Sequence, residues 1–149
     1  MTHAVIRPAR PEDLDALVEL LRMLFGIEAD FAFDAARQRQ GLVMLLAQEA
    51  AVVLVAEAAG QVIGMCTGQM IISTAEGGFA LLVEDVVVAG PWQGKGVGRE
   101  LMTALEQWAA SRKIARLQLL ADRNNTAALE FYRTLGWQGT ELICLRRRI

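Results

Sequence analysis

Two carboxylates stand side by side in an otherwise apolar run, Leu82-Val83-Glu84-Asp85-Val86. A charged group among branched apolar side chains is costly to take out of water, so it is either paired or kept for proton transfer. Glu84 is the candidate general base, acting directly or through an ordered water. In a regular strand Glu84 and Asp85 point to opposite faces, so only one faces a site unless a bulge intervenes. Pairing with an arginine, or capping of backbone amides, is the other reading of either carboxylate.

A few residues further on lies Gly90-Pro91-Trp92-Gln93-Gly94-Lys95-Gly96-Val97-Gly98-Arg99. An apolar strand, Val86-Val87-Val88-Ala89, runs through this glycine-rich turn into a helix. Glycines let backbone amides crowd toward one point, and the helix start adds free N–H groups and the positive end of its dipole. Together these suit a pyrophosphate. The loop is not a Walker loop, because Gly96 does not precede a lysine. It is not the dinucleotide fingerprint either, because the glycines fall at 94, 96 and 98. Glycine spacing alone is equally a tight strand-to-helix turn.

Other chemistries find few residues. His3 is the lone histidine, and Cys66 and Cys144 are the only cysteines, with no CxxC spacing. The sequence therefore offers no metal site, which needs three or four convergent ligands. Both cysteines read as small buried hydrophobes. A net charge of -2 with interleaved signs does not suit a general nucleic-acid surface. The opening residues lack the apolar core of a secretion signal, and no apolar run is long enough for a bilayer. A cytoplasmic protein that does not bind membranes is expected.

The elements that must position these groups follow from pattern. The chain has 149 residues, 54% of them apolar, which suits one domain over 1–149 with a sizeable core. Ala4 to Arg7 is a first strand. Pro11-Glu12-Asp13 opens a helix with Leu14, Leu17, Val18, Leu21 and Leu24 at helical spacing. Asp34 caps a second helix running to about Glu49. Strands are expected over Ala51 to Glu57, Val62 to Ile72 and Phe79 to Ala89, with Gly64 and Gly68 as bulges or points of close approach. A helix after Gly98 carries Leu101, Leu105 and Trp108. Ala115 to Ala121 is a further strand. Asn124 or Asn125 caps a helix ending at Gly136, and Glu141 to Arg146 is a last strand. The order β-α-α-β-β-β-α-β-α-β reads as a mixed α/β fold.

Gln93-Gly94-Lys95-Gly96-Val97-Gly98 resembles the Gln/Arg-x-x-Gly-x-Gly/Ala signature of the GNAT acetyltransferase superfamily. Asn125-Thr126-Ala127-Ala128-Leu129-Glu130-Phe131-Tyr132, continuing to Gly136-Trp137, resembles that family's Asn-x-x-Ala-x-x-Phe-Tyr-x-x-x-Gly-Phe. The Ile6-Arg7-Pro8-Ala9 start, with Asp13 and Leu17, resembles its usual opening. Two motifs at the expected separation are far more specific than either alone. Trp137 in place of Phe, and the position of Pro91, are departures that leave the amide cradle in place.

The resemblance implies a central mixed, mostly antiparallel sheet with splayed middle strands, flanked by helices. It implies an acetyl-CoA-dependent N-acetyltransferase acting by direct attack of an amine on the thioester. Val86, Val87 and Val88 would line the pantetheine. Gln93, Gly94, Lys95, Gly96, Val97, Gly98 and Arg99 would hold the pyrophosphate, with Asn125, Ala128 and Tyr132 contributing from the second motif. Tyr132, the only tyrosine, would protonate the leaving thiolate; its plain reading is a core aromatic. The spacing from Glu84-Asp85 to Gln93 resembles the diamine and glucosamine-6-phosphate acetyltransferase branches.

The stretch from Phe25 to Asp34 joins the first two helices, where this family often shapes its acceptor site. Glu28, Asp30 and Glu84 would draw in a cationic amine, against the plainer reading of Glu28 as solvated, Asp34 as a cap and Phe31 and Phe33 as core. A small-molecule primary amine is the expected acceptor. The alternatives are a protein or peptide, an aminoacyl-tRNA, or no reaction at all in an acyl-CoA-binding regulatory module. Arg146-Arg147-Arg148 reads as a solvated strand end. Members are often homodimers, and the sequence does not fix the subunit count.

Overall fold

The structure is a computed structural model that describes residues 3–28 and 30–149. Residues 1–118 form one compact unit and residues 119–149 a second.

The first strand, β1 (Val5–Pro8), lies at the edge of the sheet, with Pro8 at its last paired position opposite Leu54. An edge is where a missing N–H is tolerated. A single 3-10 turn, Pro11–Asp13, leads into α1 (Leu14–Ile27). The Asp13 carboxylate closes that turn. It accepts from Arg10 N–H at 2.7 Å and from the two terminal guanidinium nitrogens of Arg7 at 2.8 and 3.0 Å. Arg7 reaches on to Glu57 at 3.3 Å.

Asp34 caps α2 (Ala35–Leu46) through the N–H groups of Ala36 and Arg37. The helix stops at Leu46 rather than near Glu49 because Ala51 N–H bonds back to Gln48 O and turns the chain into a strand. Four long-range pairings then build the sheet from β2 (Ala51–Ala58), β3 (Gln61–Ser73), β4 (Gly78–Val88) and β5 (Arg116–Leu119). Its order is β1-β2-β3-β4-β5, with β1 to β4 antiparallel. Ala115 N–H donates to Phe79 O, which brings β5 in at the start of β4.

Strand alternation divides the core. On one face Val53, Val55, Met65 and Val87 pack with Leu17, Val18, Leu20 and Leu21 of α1 and Leu42 of α2. The other face carries α3 (Val97–Ser111), which buries Leu101, Met102, Leu105 and Ala109. Both glycines singled out in β3 are close-approach points. A Cβ on Gly64 would lie 3.2 Å from Leu101 Cδ1 and 3.3 Å from Val87 O, and one on Gly68 would lie 2.9 Å from Leu81 Cδ2. Gly64 also adjoins a register shift between β2 and β3.

In the second unit, Asn125 caps α4 (Thr126–Thr134), its Oδ1 accepting from Ala128 N–H at 3.1 Å. Gly136, at φ +91°, ends it as expected. Trp137 N–H bonds to Tyr132 O and Gly136 N–H to Arg133 O, which satisfies the last carbonyls in the Schellman manner.

The expected last strand over Glu141 to Arg146 is not formed, and the observed order closes with α4. Residues 137–149 carry neither helix nor strand, and Leu142, Ile143 and Leu145 are exposed. A strand is stabilised by its neighbour's hydrogen bonds and side chains, not by its own composition. Leu142 N–H bonds instead to the adjacent Thr140 hydroxyl.

Candidate active site

β4 and α3 are joined by a loop whose shape is set by two glycines. After a 3-10 turn at Gly90–Trp92, Gly94 and Gly96 take φ of +74° and +85°, a region costly to other residues. Gly96 is the N-cap of α3 and Val97 is buried, so the helix start is anchored while residues 93–96 stay exposed. The first helical N–H to bond within the ladder is that of Glu100, to Gly96 O. The N–H groups of Val97, Gly98 and Arg99 therefore precede the ladder and point out of the helix end.

Their own chain neighbours aside, no atom of the described residues lies within 4 Å of the Cβ positions that Gly94 and Gly96 lack. That open space, lined by amides at the positive end of a 15-residue helix, fits a diphosphate. Gln93 turns back and donates from Nε2 to Val88 O at 2.9 Å. The Lys95 ammonium stands 5.3 Å from the Trp92 ring centroid. Val86, Val87 and Val88 lead into this loop, with Val87 opposite Met65 and Val88 opposite Gly64.

Upstream of those valines β4 holds an extra residue. Thr67 pairs with Glu84 and Met65 with Val87, so Cys66 faces both Asp85 and Val86. Asp85 takes up the bulge with φ +54°. Glu84 is exposed and Asp85 is partly buried. Thr67 Oγ1 lies 3.0 Å from Glu84 O and 3.3 Å from Asp85 Oδ2. Burial pushes the Asp85 carboxyl up to about 6. The negative charge of Glu84 adds to the rise, the Thr67 hydrogen bond opposes it, and Glu28 at the end of α1 raises it further. Glu28 and Glu84 thus share an acidic neighbourhood centred on Asp85. Asp30 sits in the exposed connection that follows.

Thr67 was signalled by nothing in the sequence, since one threonine in an apolar strand is ordinary. Asp85 was signalled by its charge, but only the bulge shows which way it is held. Cys66, behind the bulge, is buried with its thiol pushed up to about 12 by desolvation, so it is not a nucleophile near neutral pH.

In the second unit Tyr132 is half-buried on α4, its ring 5.2 Å from Phe131 and 5.8 Å from Trp137. Asn125 and Ala128 are tied together by the cap itself. Among the described residues no group of three or more His, Cys, Asp or Glu side chains is placed to hold a metal. No helix among them is long and apolar enough to cross a membrane.

Residues 14–137 match the family model described as "Acetyltransferase (GNAT) family", and the chain belongs to that family. An aminoglycoside N-acetyltransferase solved with coenzyme A superposes with a TM-score of 0.85 at 18% identity, covering 99% of this chain and 96% of that one. A Clostridium acetobutylicum protein described as a predicted acetyltransferase, solved with acetyl-CoA, gives 0.79 at 22% identity, over 96% of each chain. Glucosamine-6-phosphate N-acetyltransferase of Arabidopsis thaliana gives 0.76 at 19% identity, over 97% of each. The mouse protein N-alpha-acetyltransferase 80 is 48% identical over 59 residues, 40% of this chain but 18% of the mouse protein's length.

Proposed function

We propose that this chain is an N-acetyltransferase that carries the acetyl group of acetyl-CoA to a primary amine on a small molecule in the cytoplasm. The observation that carries this reading is the loop of Gly94 and Gly96 at the start of α3, two left-handed glycines with open space before an unladdered helix end. Gln93, Gly94, Lys95, Gly96, Val97, Gly98 and Arg99 hold the diphosphate of the donor. Val86, Val87 and Val88 line its pantetheine arm, and Asn125, Ala128 and Tyr132 contribute from α4.

The amine, once neutral, attacks the thioester carbonyl directly. The Glu84–Asp85 pair supplies the base, Tyr132 protonates the departing sulfur, and Glu28, Asp30 and Glu84 favour a cationic acceptor. Amide donors aimed at the carbonyl oxygen contribute a few kcal/mol to the barrier reduction. Two of the named neighbours are an aminoglycoside and a glucosamine-6-phosphate N-acetyltransferase, which supports a small amine. The segment shared with the mouse N-alpha-acetyltransferase favours a second reading, a protein N-terminus as acceptor.

Thermal unfolding with acetyl-CoA, coenzyme A, NADH and ATP tests the donor. A ligand at about 100 times its dissociation constant adds roughly 2.7 kcal/mol, or ~5–10 °C for this size. The expected result is a shift with the two coenzyme A species alone. No shift with either leaves the loop a simple turn and ends this reading. Thiol release with a panel of small amines and an N-terminal peptide then separates the two acceptor classes.

A further inference from the structure

We infer that residues 140–148 are the pairing strand of a homodimer, and that this segment binds a second copy of itself, antiparallel, about a two-fold axis at Cys144. No residue assigned above to the donor or the acceptor belongs to the segment.

Three observations carry the inference. The first is what the segment leaves open. Glu141-Leu142-Ile143-Cys144-Leu145 has strand composition. Yet residues 138–145 share no backbone–backbone hydrogen bond among the described residues. Leu142, Ile143 and Leu145 are 87%, 70% and 86% exposed. Cys144, read from the sequence as buried, is an exposed free thiol. Apolar side chains beside unladdered N–H and C=O groups are a template for another strand.

The second is self-complementarity. A two-fold axis perpendicular to an antiparallel ribbon keeps each residue on the same face in both copies. Directly opposite residues are then both odd or both even. Centred on Cys144, the ribbon sets Glu141 of each copy opposite Arg147 of the other, and Ile143 opposite Leu145, all on one face. On the second face Leu142 lies opposite the aliphatic stem of Arg146, and the two Cys144 side chains meet. Centring on Ile143 instead puts Glu141 against Leu145, and centring on Leu145 puts Ile143 against Arg147. Of the three, the Cys144 centre alone matches opposite charges and matches apolar with apolar, the pairs that stabilise a ladder.

The third is a hydrogen bond already in place. Leu142 N–H donates to the Thr140 hydroxyl at 3.2 Å. In an antiparallel pair, alternate residues turn their N–H and C=O groups toward the partner. With Cys144 at a non-hydrogen-bonded position, residues 141, 143, 145 and 147 bond across the ribbon and Leu142 N–H points away from it. The Leu142–Thr140 bond therefore survives dimer formation.

A lone two-stranded ribbon is marginal in water and needs a helix against its apolar face. α4 lies in the same unit and buries none of its own residues. In the dimer the two copies of α4 supply that surface.

The test is sedimentation equilibrium of the full chain over about a hundredfold range of concentration, with melting curves to show that each variant folds. The wild type is expected to pass from one chain mass toward two as concentration rises. Ile143→Lys sets an ammonium opposite Leu145 and should weaken the dimer about 10-fold or more. Glu141→Arg or Arg147→Glu sets like charges opposite each other and should weaken it about 3- to 10-fold, and the two together should restore it. Opposite Cα atoms at a non-hydrogen-bonded position stand about 4.5 Å apart, within reach of a disulfide. Diamide should therefore link wild-type chains in pairs on a non-reducing gel, and should not link Cys144→Ser, since Cys66 is buried.

A single chain mass at every concentration overturns the inference. So does a dimer that Ile143→Lys leaves intact, which would lie on another face. A dimer weakened by Ile143→Lys, but with no restoration by the charge exchange or no link by diamide, overturns the self-pairing. The segment would then lie on another edge of the second copy, the last strand of the sheet, β5, being an open one.

Discussion

Gln93 Nε2 donates to Val88 O across 2.9 Å and so fastens the middle of the loop to the last residue of β4. The bond is exposed, so it adds little to global stability. It does fix where the amides of residues 94–96 stand.

Replacing Gln93 with alanine should leave the melting temperature nearly unchanged and weaken acetyl-CoA binding about 3- to 10-fold. That corresponds to the ~0.5–1.5 kcal/mol of one hydrogen bond. Calorimetric titration beside a melting curve separates the two effects. A loss of stability without a loss of affinity would show the bond serving the fold rather than the loop.

Gly96→Ala makes the opposite division. At φ +85° an alanine costs on the order of 1–2 kcal/mol, or a fall of roughly 2–8 °C in melting temperature. Its methyl also enters the open space before α3. We expect the acetyl-CoA-induced thermal shift to vanish as well. A variant that melts lower but keeps the full shift would place the diphosphate elsewhere.

How much of this was legible beforehand differs by element. The glycine loop, the Asp34 and Asn125 caps and the Gly136 stop depend on a few adjacent residues, and their chemistry is written in them. The bulge is different. Glu84-Asp85 in an apolar run signals something held against its preference, but an inserted residue shows only against the partner strand, through Thr67↔Glu84 and Met65↔Val87. Thr67 itself carries no local mark. The strand expected over Glu141 to Arg146 fails for the same reason in reverse, since Leu142, Ile143 and Leu145 have strand composition but no ladder.

Tyr132→Phe retains the ring contacts with Phe131 and Trp137 and removes the hydroxyl. If Tyr132 is the acid, kcat should drop ~10²-fold while the dissociation constant of acetyl-CoA changes little. Steady-state kinetics with the reacting amine and an equilibrium titration provide the two numbers. An unchanged kcat would falsify the acid role.

The Arg7–Asp13 pair makes an acid-side prediction. The Arg7 guanidinium holds the Asp13 carboxyl below its ordinary range, with the Arg10 N–H bond also lowering it against burial. A depressed carboxylate stabilises the fold above its unfolded pKa of ~3.9, and that contribution disappears as pH falls through the lower folded value. Asp13→Asn should therefore cost roughly 2–4 kcal/mol at neutral pH, with the gap to wild type closing as the buffer is taken well below pH ~3.9. Melting curves of the two proteins across that range decide it; a gap independent of pH would assign the loss to packing.

The Lys95 ammonium over the Trp92 indole has an optical consequence. An ammonium near the ring perturbs the excited state of the indole, and a diphosphate seated beside it would draw Lys95 away. Trp108 is covered by Arg112, near the other end of α3, and has no such reason to respond. With Trp137, whose ring lies 5.8 Å from that of Tyr132, replaced by phenylalanine, emission from Trp92 turns the loop into its own gauge of donor occupancy, readable without a label.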